Sequence, residues 1–186
     1  LYLNADTRLI EGMDTSIAYS IRTDYGRFAA KFVNVHYDTK NQESGGDAQR
    51  LSEAGKPGGL LENIAPVRGV DNLLGLNGNV EDKYTMNLSW RKGPYEVLVS
   101  GTQWGEFFES GHTETIDGNR EMWVVDSMTM INVTLGYKFK NDLRVRLQVK
   151  NLEDERAPLA DESQFFWGDI HTDFGRNYSL ELYKKF

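Results

Sequence analysis

The chain has 186 residues, with 21 basic and 28 acidic side chains for a net charge of −7, and it contains no cysteine. An acidic balance of this size argues against a nucleic-acid backbone as partner, and the lack of Cys excludes a disulfide scaffold and Cys-ligated metals. No stretch approaches the roughly 18 consecutive apolar residues of a spanning helix, and Leu1, Tyr2, Leu3 and Asn4 lack the basic and apolar regions of a signal peptide. A transmembrane β-barrel stays open, because its strands alternate apolar with polar residues and never show a long apolar run.

In chain order, the first alternating stretch places Met13, Thr15, Ile17, Tyr19 and Ile21 on one face. It runs into Asp24, Tyr25 and Gly26, and Phe28, Ala30 and Phe32 continue the pattern afterwards. A second pair has Tyr84, Met86, Leu88 and Trp90 before a turn at Lys92, Gly93 and Pro94, and Tyr95, Val97 and Val99 after it. The third pair sets Ile131, Val133, Leu135, Tyr137 and Phe139 opposite Met130, Asn132, Thr134, Gly136 and Lys138. Beyond Lys140, Asn141 and Asp142, it sets Leu143, Val145, Leu147 and Val149 opposite Arg144, Arg146, Gln148 and Lys150. A last strand, Asn177 to Phe186, shows Tyr178, Leu180, Leu182 and Phe186 on one face. The reading is all-β: seven antiparallel strands and no helix of globular length.

Three connections are tight turns. The other three are long, at about residues 39–82, 105–126 and 153–174, and the two kinds alternate strictly. A soluble meander has no reason to alternate in this way, whereas an outer-membrane barrel has short periplasmic turns and long outer loops. Charge divides along the same line: the long loops hold −3, −5 and −6, so the strands and turns carry +7. Solvated acidic loops would produce the same division without a membrane.

Enzyme chemistry is not visible. There is no Gly-x-Ser-x-Gly element and no phosphate-binding glycine loop, and His36, His112 and His171 stand alone without metal-site spacing. The expectation is no catalytic residue, no metal and no cofactor. The sequons at Asn87, Asn132 and Asn177 fall inside strands and read as polar alternation rather than glycosylation sites. One aromatic and acidic constellation is a candidate ligand site: Trp104, Glu106, Phe107 and Phe108 at one loop entrance, Trp123 at its exit, and Phe165, Phe166, Trp167 and Asp169 in the last loop. Rings cover the apolar face of a sugar or aromatic chelate while acids accept hydroxyl hydrogens. An aromatic girdle with loop-to-loop packing is the competing reading.

The C-terminal third carries a family likeness. Gln148, Val149, Lys150, Asn151, Leu152, Glu153, Asp154 and Glu155, then Pro158, then the run from Gly175 and Arg176 to Phe186, resemble the end of a TonB-dependent outer-membrane receptor. In that family the penultimate strand runs into an Asn-Leu-aromatic-Asp turn and the final strand opens with Gly-Arg; here Glu153 stands where the aromatic is usual. The stretches from Asn79 to Trp90 and from Glu11 to Asp14 are similar to other strand starts of such barrels, and Phe186 matches the terminal aromatic that barrel-assembly machinery recognises.

The resemblance implies a 22-stranded barrel around an N-terminal plug, a known size class. Seven strands leave two edges open to lipid, so the chain is expected to be the C-terminal part of a longer receptor, with plug and earlier strands on polypeptide outside it. The implied function is import of a scarce nutrient (ferric siderophore, cobalamin or oligosaccharide) across the bacterial outer membrane. The implied partners are the rest of the receptor, the TonB complex acting through the plug, membrane lipid and the ligand, with no nucleic acid. The alternative is a small lipocalin-like β-barrel that binds a ligand inside. A barrel enzyme would need a nucleophile and base on the rim, and none is evident.

Overall fold

The computed structural model describes residues 7–43, 45–62, 70–116, 119–161 and 165–184. Ten strands and one helix follow in the order β1 (Thr7–Thr23), β2 (Gly26–Glu43), α1 (Gly46–Ala54), β3 (Val70–Asn72), β4 (Asp82–Lys92), β5 (Tyr95–Trp104), β6 (Phe107–Ile116), β7 (Asn119–Val125), β8 (Met128–Lys138), β9 (Leu143–Lys150) and β10 (Asn177–Lys184). Seven of them form one antiparallel meander, β1-β2-β4-β5-β8-β9-β10, with β3 added beside the outer part of β2. The remaining two, β6 and β7, make a separate hairpin.

The seven strands of the sheet are those read from the alternation, and the meander puts the turns after β1, β4 and β8 at one end and the three long connections at the other. Two readings are corrected. The long connections are not bare loops: the first holds α1 and β3, and the second is mostly the β6–β7 hairpin. The strands also run further toward the long-loop end than their apolar positions suggest, β2 reaching Glu43. Backbone pairing, not side-chain hydrophobicity, carries them outward.

Register explains the two faces. In an antiparallel sheet directly opposed residues point to the same side. One row therefore runs Tyr19, Ala30, Leu88, Val99, Val133, Val149, Tyr178, and the next Ile21, Phe28, Trp90, Val97, Leu135, Leu147, Leu180. Both rows are apolar across all seven strands. The alternate rows on the other face run Ser20, Ala29, Ser89, Leu98, Thr134, Gln148, Ser179 and Ala18, Lys31, Asn87, Ser100, Asn132. Asn87, Asn132 and Asn177 all fall on this polar face, as the sequence reading of the sequons requires.

The apolar band has defined limits. From Ile131 of β8 to Phe139 just past its end the band spans roughly 26 Å at about 3.3 Å per residue. At the short-turn end it closes on rings: Tyr95 packs edge-on to Tyr137 at 5.1 Å, and Tyr137 to Phe139 at 4.6 Å. At the other end a polar row of Thr15, Asn34, Tyr84, Gln103 and Thr129 ends it.

Nothing in the described chain covers this band. The buried apolar residues are Val80, Phe107, Val125, Met128 and Ala160, none of them in the apolar rows, while Leu88 is 40% exposed and Leu180 65%. Among the described residues β1 and β10 each pair on one side only.

The first hairpin shows how tightly the short-turn end is built. Gly26 has φ 121°, and a Cβ there would lie 2.5 Å from the Arg91 carbonyl oxygen and 3.0 Å from Trp90 Nε1, which donates to the Tyr25 carbonyl at 2.9 Å. Gly26→Ala should lower unfolding stability by about 1–3 kcal/mol. Gly101→Ala, where no atom lies within 4 Å of the new methyl, should change it by less than about 0.5 kcal/mol. Denaturant unfolding of the two variants side by side checks the contrast.

Candidate functional site

The three long connections converge on one small core at their end of the sheet. Phe107, at the start of β6, is fully buried with Val80, Val125 and Ala160, and Trp104, Trp123, Trp167 and Ile170 pack around them. Phe107 meets Trp167 edge-on with ring centroids 5.5 Å apart. The first connection is tied in by backbone: Phe108 N–H donates to Gly75 O and Asn77 N–H to Phe108 O, both at 2.8 Å. Asn77 and Ser110 exchange two further bonds, at 2.7 and 2.9 Å. Gly78, with φ 79°, lies under the Trp167 ring, and a Cβ there would fall 2.3 Å from Nε1. The last connection is held by Trp123 Nε1 donating to Leu159 O at 3.0 Å and by the buried Glu109 carboxylate accepting from Asp161 N–H at 2.8 Å.

This geometry divides the nine candidate ligand residues. Phe107, Trp123 and Trp167 are brought together, but into the packing that joins the loops. Trp104 borders the same core and has the Lys83 ammonium 5.4 Å above its ring. Glu106 and Asp169 are exposed, Phe166 is half-buried, Phe108 is 39% exposed and Phe165 76%. Phe165 also has φ 64°, an uncommon conformation for a bulky residue, so the backbone holds this ring in solvent at a cost in strain. The exposed members are the ones free to meet a ligand.

The histidines depart from the reading that they stand alone. In β2, His36 Nδ1 lies 3.0 Å from Asp82 Oδ1 and Nε2 lies 3.5 Å from Asp38. Asn34 also donates to Asp82, at 3.2 Å. Donor atoms of His36, Glu81 and Asp82 all fall within 4.8 Å of one another. The β2–β4 register joins residues 46 positions apart, which no local spacing reveals. His171 is buried against Phe107, ring centroids 6.0 Å apart, and among the described residues neither ring nitrogen has a hydrogen-bond partner. Burial therefore pushes its pKa down. The side chain of His112 and the residue Phe186 lie outside the described residues.

The Asn151 motif closes the exit of β9 onto the start of β10. Asn151 is 1% exposed with φ 53°; its side chain accepts from Glu155 N–H at 2.9 Å and donates to Glu155 O at 2.8 Å, while its N–H donates to Asn132 Oδ1 at 2.9 Å. Asp154 accepts from Arg176 N–H at 2.6 Å. Arg156 forks onto Asp173, Nε to Oδ1 at 2.7 Å; that bond and one from Ala157 N–H hold the Asp173 carboxyl at a pKa of about 2. Position 153 is exposed, and its side chain enters none of these bonds.

No protein-family model matches the chain, and no curated protein is similar to it.

Two outcomes follow from the loop core. Phe107→Ala should destabilise the packed loops by about 3–5 kcal/mol, read as faster hydrogen exchange at residues 107–109, 123–125 and 167–171 with the central sheet rows unchanged. His171 binds a proton less readily folded than unfolded, so its contribution is complete above pH 6.5 and is lost as pH falls from there toward its depressed folded pKa. Protection factors at 167–171, corrected for the pH dependence of intrinsic exchange, should fall over that range, and His171→Phe should remove that fall.

Proposed function

We propose that this chain is part of the wall and outer loops of a transmembrane β-barrel in the bacterial outer membrane, within a TonB-dependent receptor that imports a scarce nutrient. One observation carries the proposal: a seven-strand sheet with an apolar band of membrane height, uncovered by any other part of the described chain, and polar residues on its opposite face. A water-exposed band of this size would aggregate. Lipid is a solvent that suits it, and the aromatic rows at its short-turn end suit the headgroup level.

On this reading the tight turns face the periplasm and the packed loops face outward. The open edges of β1 and β10 pair with further strands of a larger barrel of 22, and a plug occupies the polar side. The likeness of the Asn151 and Arg176 segments to the family's last strands supports the receptor class. Ligands of the class are ferric siderophores, cobalamin or oligosaccharides, and the exposed Phe108, Phe165, Glu106 and Asp169 are the groups of this chain that meet them first.

Cells with and without the gene for the full-length polypeptide, given labelled members of the three ligand classes, provide the test. Uptake of one class should require both the protein and a functional TonB complex; uptake of none, or uptake independent of TonB, contradicts the proposal. Changing Phe108 and Phe165 together to Ala should weaken binding of that ligand about tenfold, at about 0.5–1.5 kcal/mol per ring. Unchanged affinity would leave binding to other parts of the receptor.

A further inference from the structure

Beyond the polar row that ends the apolar band, the next row on the same face sets Met13 opposite His36 and His36 opposite Asp82. His36 belongs to β2, Asp82 opens β4, and Glu81 is the last residue of the first long connection. Backbone bonds fix this corner: Tyr37 N–H donates to Glu81 O at 2.9 Å, and Gly105 N–H donates to Asp82 O at 2.9 Å. Register thus brings an imidazole and two carboxylates from separate elements to one point, with His36 and Asp82 half-buried and Glu81 exposed.

The spacing suits ligands of a single ion. Donor atoms of the three side chains lie within 4.8 Å of one another, and His36 Nδ1 is 3.0 Å from Asp82 Oδ1. Two ligand atoms each about 2.1 Å from a tetrahedral Zn²⁺ are about 3.4 Å apart. The His36–Asp82 pair therefore needs little movement, and rotation of the exposed Glu81 side chain closes the remainder. The surroundings hold these groups in place. Asn34 Nδ2 donates to Asp82 Oδ1 at 3.2 Å, and the Tyr84 side chain bonds the same carboxylate. Asp38 lies 3.5 Å from His36 Nε2, so a ring that coordinates through Nδ1 keeps its proton on Nε2, facing a carboxylate. Metal-bound histidines are ordinarily oriented in this way. Charge points in the same direction: Asp38, Glu81 and Asp82 surround one imidazole, and among the described residues no Lys or Arg forms an ion pair with any of them.

We propose that His36, Glu81 and Asp82 bind one divalent transition-metal ion of the Zn²⁺ class, with Asp38 and Asn34 orienting the ligands, and that the ion clips the outer part of β2 to the start of β4. One imidazole nitrogen with two carboxylate oxygens suits Zn²⁺ better than Ca²⁺ or Mg²⁺, which favour all-oxygen sites. The site lies on the same side of the sheet as the apolar band, just past its end, so the ion joins two strands and does not face the polar side. Local spacing gave the expectation of no metal because His36 and Asp82 are 46 positions apart and meet only across the β2–β4 register. The site stands independently of the importer reading.

The test uses the full-length polypeptide purified in detergent, stripped with a chelator and titrated with Zn²⁺ alone. Calorimetry should show that His36→Gln removes one bound Zn²⁺ per polypeptide, and that Asp38→Asn weakens the same site at least about tenfold. Zn²⁺ should slow hydrogen exchange at residues 34–38 and 81–84 in the parent protein and leave it unchanged in His36→Gln, with folding checked by heat-modifiable migration. If His36→Gln does not fold, Glu81→Gln is read instead, since that side chain is exposed, and a loss of at least about tenfold in affinity is expected. Ca²⁺ and Mg²⁺ at the same concentration should not slow exchange at these residues. Zinc binding that is insensitive to the substitutions, exchange that Zn²⁺ does not slow, or equal slowing by Ca²⁺ overturns the proposal, and each of these leaves the importer reading standing.

Discussion

Everything else in this structure depends on one constraint: the register of seven antiparallel strands keeps a fully apolar face and a polar face on opposite sides of a single layer. A shift of one residue in any pairing would move that strand's whole apolar set to the other side. The register therefore has to be fixed at the strand ends. At the short-turn end it is fixed by hairpins such as that of Gly26, packed under Trp90. At the other end it is fixed by the Asn151 turn, which bonds the end of β9 to Asn132 of β8 and to the segment leading into β10.

A single layer of this kind has no interior of its own. Folded domains ordinarily bury an apolar face against a second layer, and among the described residues no second layer covers the sheet. What packing there is sits beyond the sheet, where Phe107, Val125, Val80 and Ala160 bind the three long connections into one unit. The two parts thus have different sources of stability. Backbone pairing and whatever medium covers the apolar band hold the sheet, whereas aromatic packing and buried polar bonds hold the loops. His171 places inside the second, and not the first, a buried imidazole with no hydrogen-bond partner among the described residues.

The sheet was legible in the sequence because a period of two is a strong signal over eight or more residues, and because the turns carry Gly, Pro, Asn and Asp at the places that need them. The β6–β7 hairpin was not, since the sequence from Glu109 to Glu121 has no apolar alternation. The dipeptide Asp117 and Gly118 was the signal available there. Helix α1 is short and polar, with a single acidic residue in its first turn and no side-chain cap. The candidate ligand residues were found as a group but not sorted: composition cannot tell Phe107, buried completely, from Phe108 beside it, because only the pairing of β6 with β7 and Gly75 decides which ring turns inward. His36 and Asp82 meet through register alone, and that is invisible to local spacing.

The central claim is that lipid covers the apolar rows and does not reach the polar ones. This chain has no cysteine, so once any cysteine elsewhere in the full-length protein is replaced, single spin labels can be placed at Leu88→Cys and Ser89→Cys, neighbours on opposite faces of β4, in that protein in membranes. Collision with oxygen should dominate at position 88 and collision with a water-soluble nickel chelate at position 89; the reverse pattern, or water access at both, would contradict the account.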